Sequence, residues 1–191
     1  MNTVKNELRQ KYRALRDSFG EEFIKRASDT ACKNLVESQE FINADALLLY
    51  YPIKNEISPL PLLELCLKEG KKVAFPVCNK ENSTLIFRRI TALEDLTLST
   101  FNIFEPNENC DKIKIGKNTL CIVPALIFSR DGHRIGYGKG YYDRFLANFE
   151  GVSVGFSYSA LVCDEIQHES HDIPLDLIVT ESEVLKIASK N

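Results

Sequence analysis

The residue types best suited to chemistry are concentrated between positions 130 and 145. Glycines alternate there around a lysine, in the order Gly136, Gly138, Lys139 and Gly140. Because glycine reaches positive φ without a steric penalty, these glycines can turn successive backbone N–H groups toward anionic oxygens. A helix predicted over 141–148 would direct its positive N-terminal end to the same place. The segment therefore predicts a phosphate-binding loop.

The glycine spacing leaves a second interpretation open. It matches neither the dinucleotide-binding fingerprint nor the phosphate loop of nucleoside triphosphatases, and glycine is also common in solvated turns. The neighbouring side chains favour a ligand site, because a solvated turn has no need of so many cations beside tyrosines and aspartates. These neighbours are Arg130, Asp131, Arg134, Lys139, Tyr141, Tyr142, Asp143 and Arg144.

The composition restricts the class of protein. The chain has 191 residues, of which 44% are hydrophobic, and this predicts one domain with a substantial core over 1–191. The 24 basic residues are balanced by 27 acidic ones, and the net charge of -3 argues against a general nucleic-acid coat. The sequence has neither an apolar leader nor a long apolar run. We therefore expect a cytoplasmic protein without a nucleic-acid or membrane partner, for which a monomeric state is compatible with the sequence.

The cysteines and histidines offer little metal or redox chemistry. Six cysteines are scattered without a C-x-x-C pair, which suggests neither a zinc knuckle nor a redox dithiol. Cys66 and Cys121 lie in apolar runs and are expected to be buried, reduced thiols. The spacing of His168 and His171 suits a metal, but the pair lacks a third ligand of known placement. His133 is expected in a turn, facing solvent.

Helical and strand patterns alternate along the chain. Helices are predicted over 3–18, 21–37 and 58–70 in addition to 141–148, and strands over 46–51, 72–77, 85–90, 120–128, 152–156 and 177–180. In the third helix, Ser58 is the predicted N-cap, Pro59 the first helical residue and Gly70 a left-handed C-terminal cap. The polar stretch 97–117 is predicted to be an irregular connection. This order predicts a three-layer α/β domain with a mostly parallel sheet and helices on both faces.

In a sheet of this kind, ligands bind at the carboxyl ends of the strands. Three segments are expected at that edge: 52–56, the glycine loop, and the residues before Thr180. We expect these segments to converge on one site.

The first predicted helix carries two distinct faces. Its apolar face consists of Val4, Leu8, Tyr12 and Leu15, and a neighbouring face consists of Lys5, Arg9, Arg13 and Arg16. Such a stripe of cations is most often a solvated face. Because Glu7 is the only acidic residue before Asp17, the stripe could instead contact phosphates or carboxylates.

The region 123–146 resembles the signature of the 5-formyltetrahydrofolate cyclo-ligase family, also called methenyltetrahydrofolate synthetase. The matching residues are Val123-Pro124-Ala125-Leu126, Phe128, Arg130-Asp131-Gly132, Arg134-Ile135-Gly136 and Gly138-Lys139-Gly140-Tyr141-Tyr142-Asp143-Arg144-Phe145-Leu146. The likeness covers almost the whole chain and includes Lys5-Asn6-Glu7-Leu8-Arg9, Asn55-Glu56, Val154-Gly155-Phe156, His171-Asp172 and the residues 175–181. Members of the family are similar in fold to sugar-phosphate isomerases and CoA-transferases, which agrees with the predicted sheet.

The resemblance implies an enzyme that uses ATP and Mg²⁺ to close 5-formyltetrahydrofolate to 5,10-methenyltetrahydrofolate, with release of ADP and phosphate. The implied catalytic residues are Lys139, Arg134 and Tyr142. The implied ATP contacts are Lys5, Arg9, Arg134, Ile135, Gly136, Tyr137, Gly138, Lys139, Gly140, Tyr141 and Tyr142. The implied folate contacts are Tyr51, Glu56, Gly138, Lys139, Gly140, Tyr141 and Tyr142, and the implied magnesium ligands are Asp143 and Asp172.

One position departs from the pattern of the family. Tyr137 stands where many members carry arginine. If that arginine contacts phosphate, Arg134 or Arg144 would have to supply the charge in this chain.

The implied reaction explains the need for ATP. A formamide oxygen is a very poor leaving group, and transfer of the γ-phosphoryl group onto it makes a phosphate that the neighbouring N10 can displace. Such a transfer depends on positioning and on charge neutralisation more than on covalent help from the protein. Glu56 suits the pterin, because a carboxylate can accept its ring N–H and its amino group in parallel.

Two other classes of protein remain as alternatives. The segment 139–145 loosely resembles the aromatic string of RNA-recognition domains, but Asp143 and the acidic net charge argue against RNA. A different ATP-dependent or sugar-phosphate enzyme could share the fold, since a fold does not determine its chemistry.

Overall fold

The computed structural model of the protein describes residues 3–99, 103–169 and 172–188. Its α-helices are α1 (Thr3–Asp17), α2 (Glu21–Val36), α3 (Gln39–Ile42), α4 (Pro61–Lys68) and α5 (Tyr141–Leu146). Its strands are β1 (Ala46–Leu48), β2 (Lys72–Asn79), β3 (Thr84–Ile90), β4 (Leu96–Leu98), β5 (Phe104–Pro106), β6 (Thr119–Val123), β7 (Ile127–Ser129), β8 (Arg134–Ile135), β9 (Val152–Phe156), β10 (Val162–Cys163), β11 (Leu177–Val179) and β12 (Val184–Lys186). Within these described ranges, every helix is too short or too polar to cross a membrane.

The centre of the fold is a seven-stranded sheet in the order β12-β11-β9-β6-β1-β2-β3. Its five inner strands pair in parallel, and the edge strands β3 and β12 pair antiparallel with their neighbours. Two small sheets flank it, one with the order β10-β7-β8 and one formed by β4 and β5. The prediction of an α/β fold with a mostly parallel sheet is confirmed.

Both faces of the sheet are buried. Leu47 and Leu48, adjacent in β1, belong to two different cores, one covered by α2 and α4 and the other by α5. Cys66 and Cys121 lie in the first and second core respectively, as expected of buried thiols. Because neither face contacts water, the strands have continuous apolar sequences instead of alternating ones. The predicted placement of helices on both faces is therefore confirmed.

The start of α4 differs from the prediction. The helix begins at Pro61, not at Pro59. The hydroxyl of Ser58 accepts the N–H of Leu60 at 3.3 Å, in the turn that precedes the helix. Gly70 has φ +76, which confirms the predicted left-handed end.

The polar stretch 97–117 is not an irregular connection throughout. Strands β4 and β5 form a hairpin in it, and β5 packs beside β2, where the Glu105 carboxylate accepts the N–H of Cys78 at 3.0 Å. Each strand of the hairpin has only three residues, too few for a recognisable alternation. The predicted strand 120–128 is also wrong in part, because its two halves, β6 and β7, belong to different sheets.

Helix α1 is held in place differently from the prediction. Leu8 and Tyr12 pack against a small apolar cluster, as expected. Val4 and Leu15, however, are exposed, whereas Arg16 is one of the most buried side chains. Lys5, Arg9 and Arg16 therefore turn toward the body of the protein, whereas Arg13 is exposed, so the interpretation as a solvated face is wrong for all of these cations except Arg13.

The turn between β7 and β8 contains a glycine that we expect to be irreplaceable. Gly132 has φ +91, and a Cβ atom there would lie 2.8 Å from the carbonyl oxygen of Leu175. We expect Gly132→Ala to lower the free energy of unfolding by about 1–3 kcal/mol, because both the backbone conformation and the close contact become unfavourable.

Urea denaturation measures this change, with Gly116→Ala as the matched control. A Cβ atom at Gly116 has no neighbour within 4 Å, so that variant should change the unfolding free energy by less than about 0.5 kcal/mol. Equal effects of the two substitutions would contradict the prediction.

Candidate functional site

The candidate site lies where the strand connections change direction. Strand β1 continues through α4 to β2 on one side, whereas its neighbour β6 leads to β9 on the other side. In open α/β sheets, ligands bind outside the carboxyl ends of the strands at such a point. The segment after β1 and the loop between β8 and α5 meet there beside α1.

Glu56 is the central acidic group. Its side chain is only 5% exposed. One carboxylate oxygen accepts the N–H of Ile53 at 3.0 Å, and the other accepts the hydroxyl of Tyr137. Burial raises the pKa of Glu56, and the hydrogen bonds from Ile53 and Tyr137, together with the charge of Arg16, act in the opposite direction.

Arg16 lies beside this carboxylate. Its side chain is 1% exposed, and its Nη1 atom is 3.5 Å from Oε1 of Glu56. None of its three guanidinium nitrogens has a hydrogen-bond partner among the described residues. Sequence reasoning placed Arg16 in the cationic stripe but gave it no place in the site. The spacing from Lys5 and Arg9 on the same helix face was the available signal.

Tyr137 joins the glycine loop to this pair. Its hydroxyl donates to Glu56, and its ring lies 5.8 Å from the guanidinium carbon of Arg16. The guanidinium beside this position therefore comes from Arg16 and not from Arg134 or Arg144, the two residues expected to compensate. Burial raises the pKa of Tyr137 well above the range of a free phenol, so its hydroxyl keeps its proton at neutral pH.

The glycine loop has part of the predicted conformation. Gly138 and Gly140 have φ +91 and +64, whereas Gly136 does not have a positive φ, so the prediction is wrong for that glycine. The six-residue helix α5 follows the loop and ends at Leu146, two residues earlier than expected. Lys139 is exposed on the loop.

Two arginines hold the loop from opposite sides. The Nε atom of Arg9 donates to the carbonyl of Gly136 at 3.0 Å. Arg144 donates to the carbonyl of Lys139 and, at 2.8 Å, to that of Ser83 in the turn between β2 and β3. The loop is thus fixed to α1 on one side and to the sheet on the other.

Ion pairs and a hydrogen bond connect β8 with α5 and with the segment around residue 172, and connect that segment with α1. Arg134 donates to Asp143 at 2.5 Å and to the carbonyl of Ile173 at 2.7 Å. Lys5 donates to Asp172 at 3.0 Å. The pKa of Arg134 is lowered by burial, and the nearby charges of Asp143 and Asp172 oppose this change. The two carboxylates predicted to bind magnesium therefore lie near the same guanidinium, each paired with a predicted ATP-binding cation.

The donor set of these aspartates suits magnesium. Mg²⁺ in nucleotide sites is typically bound through one or two carboxylates together with phosphate oxygens. Asp143 and Asp172 are both half-buried at the rim of the site, where they could supply one oxygen each.

Two of the histidines pack against each other. His133 is buried and not solvent-facing as predicted, and its ring stacks on His168 with centroids 3.6 Å apart. Together with Asp131 they form a group of ligand atoms within 4.8 Å of one another. The rings are within 10° of parallel, so their lone pairs run side by side and do not converge on one ion. His171 lies outside the described residues.

The tyrosines expected to contact flat ligands have different surroundings. Tyr51 follows β1 and packs its ring on Phe104 of the hairpin, with centroids 4.6 Å apart. Tyr142 packs against the second core, and burial raises its pKa well above that of a free phenol. Tyr141 is half-buried at the start of α5.

Of the three segments expected to converge, 52–56 and the glycine loop contact each other directly through Glu56 and Tyr137. The residues before Thr180 contact the turn between β7 and β8, because the N–H of Leu175 donates to the carbonyl of Gly132 at 2.9 Å.

Comparisons with known proteins agree with the fold. A sequence model of the 5-formyltetrahydrofolate cyclo-ligase family matches residues 1–181. The chain is 28% identical to a probable 5-formyltetrahydrofolate cyclo-ligase of Schizosaccharomyces pombe, over 97% of this chain and 99% of the relative. It is 26% identical to the 5-formyltetrahydrofolate cyclo-ligase of Escherichia coli, over 93% and 98% of the two chains. The solved structure of 5,10-methenyltetrahydrofolate synthetase from Aquifex aeolicus superposes with a TM-score of 0.86 at 33% identity and covers 99% of this chain and 95% of its own.

The ion pair of Arg134 and Asp143 should stabilise the site measurably. The two side chains are 5% and 29% exposed, with 2.5 Å between Nη2 and Oδ1. We expect a double-mutant cycle of Arg134→Met and Asp143→Asn to give a coupling energy of about 1.5–3 kcal/mol in urea unfolding, because the pair is shielded from water.

Lys25 and Asp29 on α2 provide the control. Their ion pair is 2.7 Å long, but the side chains are 80% and 48% exposed, so a coupling of only about 0.3–0.5 kcal/mol is expected. A coupling at Arg134 and Asp143 no larger than that of the control pair would contradict the prediction.

Proposed function

The chain belongs to the 5-formyltetrahydrofolate cyclo-ligase family, and we propose that it closes 5-formyltetrahydrofolate to 5,10-methenyltetrahydrofolate at the expense of ATP. The observation that carries this proposal is the contact between Tyr137 and Glu56. It joins a glycine-lysine loop suited to phosphate with a buried carboxylate suited to a heterocycle that donates two hydrogen bonds. One continuous site can thereby hold both substrates of the reaction.

We place the triphosphate at the loop and its flanking cations. Lys139 and the amides of Gly138 and Gly140 bind phosphate oxygens, and Arg9 and Lys5 neutralise the remaining charge. Arg134 orients Asp143, with which it is paired. Asp143 and Asp172 would hold Mg²⁺, which would supply further neutralisation of the phosphate oxygens.

We place the pterin at Glu56. Each carboxylate oxygen of Glu56 already accepts one hydrogen bond, and each retains a lone pair for a second. The ring N–H and the amino group of the pterin are parallel donors that fit these two positions. Tyr51, after β1, and Tyr141, at the start of α5, are the proposed aromatic contacts of the folate.

Two bond changes complete the proposed reaction. The formyl oxygen attacks the γ-phosphorus, and the bond to the bridging oxygen of ADP breaks. N10 then attacks the formyl carbon and loses its proton, and phosphate leaves with the former formyl oxygen as N5, carbon and N10 form the amidinium of the product. The protein contributes by holding the formyl oxygen in line with the phosphate and by excluding water. Because burial keeps the hydroxyl of Tyr142 protonated, it can donate a hydrogen bond to a developing negative charge.

The proposal includes a cytoplasmic enzyme that acts on free small molecules, with no nucleic acid as a partner. The net charge of -3 supports this, since non-specific nucleic-acid binding depends on an excess of basic charge.

The decisive experiment combines the protein with Mg-ATP and 5-formyltetrahydrofolate and follows the near-ultraviolet absorbance of the conjugated product. We expect product formation that requires ATP. Absence of ATP-dependent product would overturn the proposal.

Lys139→Ala should lower kcat/KM by about 100-fold, because the variant loses a positive charge that stabilises the phosphoryl group during its transfer. Steady-state kinetics with an unchanged unfolding midpoint measures this effect. Lys117→Ala is the control, since Lys117 is an exposed lysine at the opposite, amino-terminal end of β6 and its loss should leave kcat/KM unchanged. Wild-type kinetics for Lys139→Ala would remove this residue from the phosphate site.

The affinity for folate should depend on the ionisation of Glu56. Its carboxylate form accepts both pterin donors, and because burial raises its pKa, protonation begins at a higher pH than for an exposed glutamate. We therefore expect KM for the folate to rise as the pH falls through this raised pKa, while KM for ATP changes less.

Glu56→Gln is the matching variant, because it should weaken folate binding more than ATP binding and abolish the acid limb of the profile. An acid limb that persists in Glu56→Gln would assign the titration to another group.

A further inference from the structure

The buried guanidinium of Arg16 has a role that the mechanism above does not use. Buried polar groups in proteins almost always have hydrogen-bond partners, and leaving a buried charge without them is strongly unfavourable. All three guanidinium nitrogens of Arg16 lack such a partner among the described residues, although the side chain is 1% exposed. An arginine kept in this state has five N–H donors available for a ligand.

The surroundings of Arg16 identify where that ligand would lie. The side chain lines a small cavity together with Glu56, Tyr50, Ala125 and Tyr158. This cavity, of about 10 Å³, is at the carboxyl ends of β1 and β6, next to the carboxylate at which the pterin is proposed to bind. Its walls are largely aromatic and apolar, and its charged groups are the carboxylate of Glu56 and the guanidinium of Arg16, which lie side by side.

Resting on the proposed function, we propose that Arg16 is a specificity-determining residue that donates hydrogen bonds to the ring carbonyl oxygen of the pterin. The amino group, the ring N–H and the carbonyl oxygen of a pterin follow one another along one edge, as two donors and an acceptor. Glu56 accepts from the two donors, and Arg16 donates to the third position. The separation of 3.5 Å between Nη1 of Arg16 and Oε1 of Glu56 places donor and acceptors next to each other, as such an edge requires.

A purely structural ion pair is the competing explanation. In a buried structural pair, the guanidinium is expected to form close, often bidentate, hydrogen bonds with the carboxylate. Here Oε1 of Glu56 accepts the hydroxyl of Tyr137, and Nη1 of Arg16 stays 3.5 Å from it, longer than a close hydrogen bond. The close bidentate geometry of a structural pair is therefore missing, and the guanidinium nitrogens are left without a hydrogen-bond partner among the described residues.

The test compares two ligands that differ only at the proposed acceptor. One is 5-formyltetrahydrofolate, and the other carries sulfur in place of the ring carbonyl oxygen, which keeps both donors and weakens the acceptor. Calorimetric titration without ATP gives the ratio of the two dissociation constants. We expect wild-type protein to prefer the oxygen ligand by roughly 10-fold or more, as for a hydrogen bond to a charged group.

Substitutions at the pair assign this preference to its residue. Arg16→Met should lower the affinity for the oxygen ligand and bring the ratio close to one, and Arg16→Lys should give an intermediate ratio. Glu56→Gln should weaken both ligands and preserve the ratio. Arg13→Met, an exposed arginine one turn earlier on α1, is the control and should bind both ligands like wild type.

The double variant of Arg16→Met and Glu56→Gln keeps the test valid if Arg16→Met alone fails to fold, because it removes both buried charges together. Its ratio should be near one, whereas that of Glu56→Gln alone should equal the wild-type value.

A ratio that survives the loss of Arg16 would overturn the inference and leave the proposed function intact. Wild-type protein that neither binds the folate nor turns it over would instead overturn the proposed function itself, and the inference with it.

Discussion

The removal of a charged pair from water is the constraint on which the rest of this structure depends. Glu56 and Arg16 are both buried, and burial of either charge alone would be strongly unfavourable. The segment after β1 must therefore meet α1, and Tyr137 brings the glycine loop to the same point. Three parts of the chain that are distant in sequence are thus held together by one small group of polar side chains.

The remaining polar contacts extend this principle along the first helix. Lys5 pairs with Asp172, and Arg9 donates to the carbonyl of Gly136. Lys5 and Arg9 therefore face the site, as Arg16 does, whereas Arg13 is exposed. Its apolar residues contribute less, since Val4 and Leu15 remain exposed. The helix is consequently positioned by these polar contacts together with the packing of Leu8 and Tyr12.

Much of the scaffold could be predicted from local patterns. The inner strands were recognisable because burial on both faces gives a continuous apolar run, and α2 because its apolar residues recur at helical spacing. The resemblance of the glycine loop to a known family indicated that the substrates are a folate and ATP. The predictions were wrong where pairing is distant: the hairpin of β4 and β5, and the division between β6 and β7, depend on partners elsewhere in the fold.

The sequence by itself determined the types of element, their order and the residues able to bind phosphate, because periodicity and glycine conformation act over a few positions of the chain. Only the tertiary structure decided that Arg16 is buried without a hydrogen bond while Arg13 is exposed, and that His133 lies inside the protein. These outcomes depend on which surfaces approach one another. The free energy of a charge depends on the dielectric and the partners around it. The spacing of Lys5, Arg9, Arg13 and Arg16 along one helix indicates neither the dielectric nor the partners of each side chain.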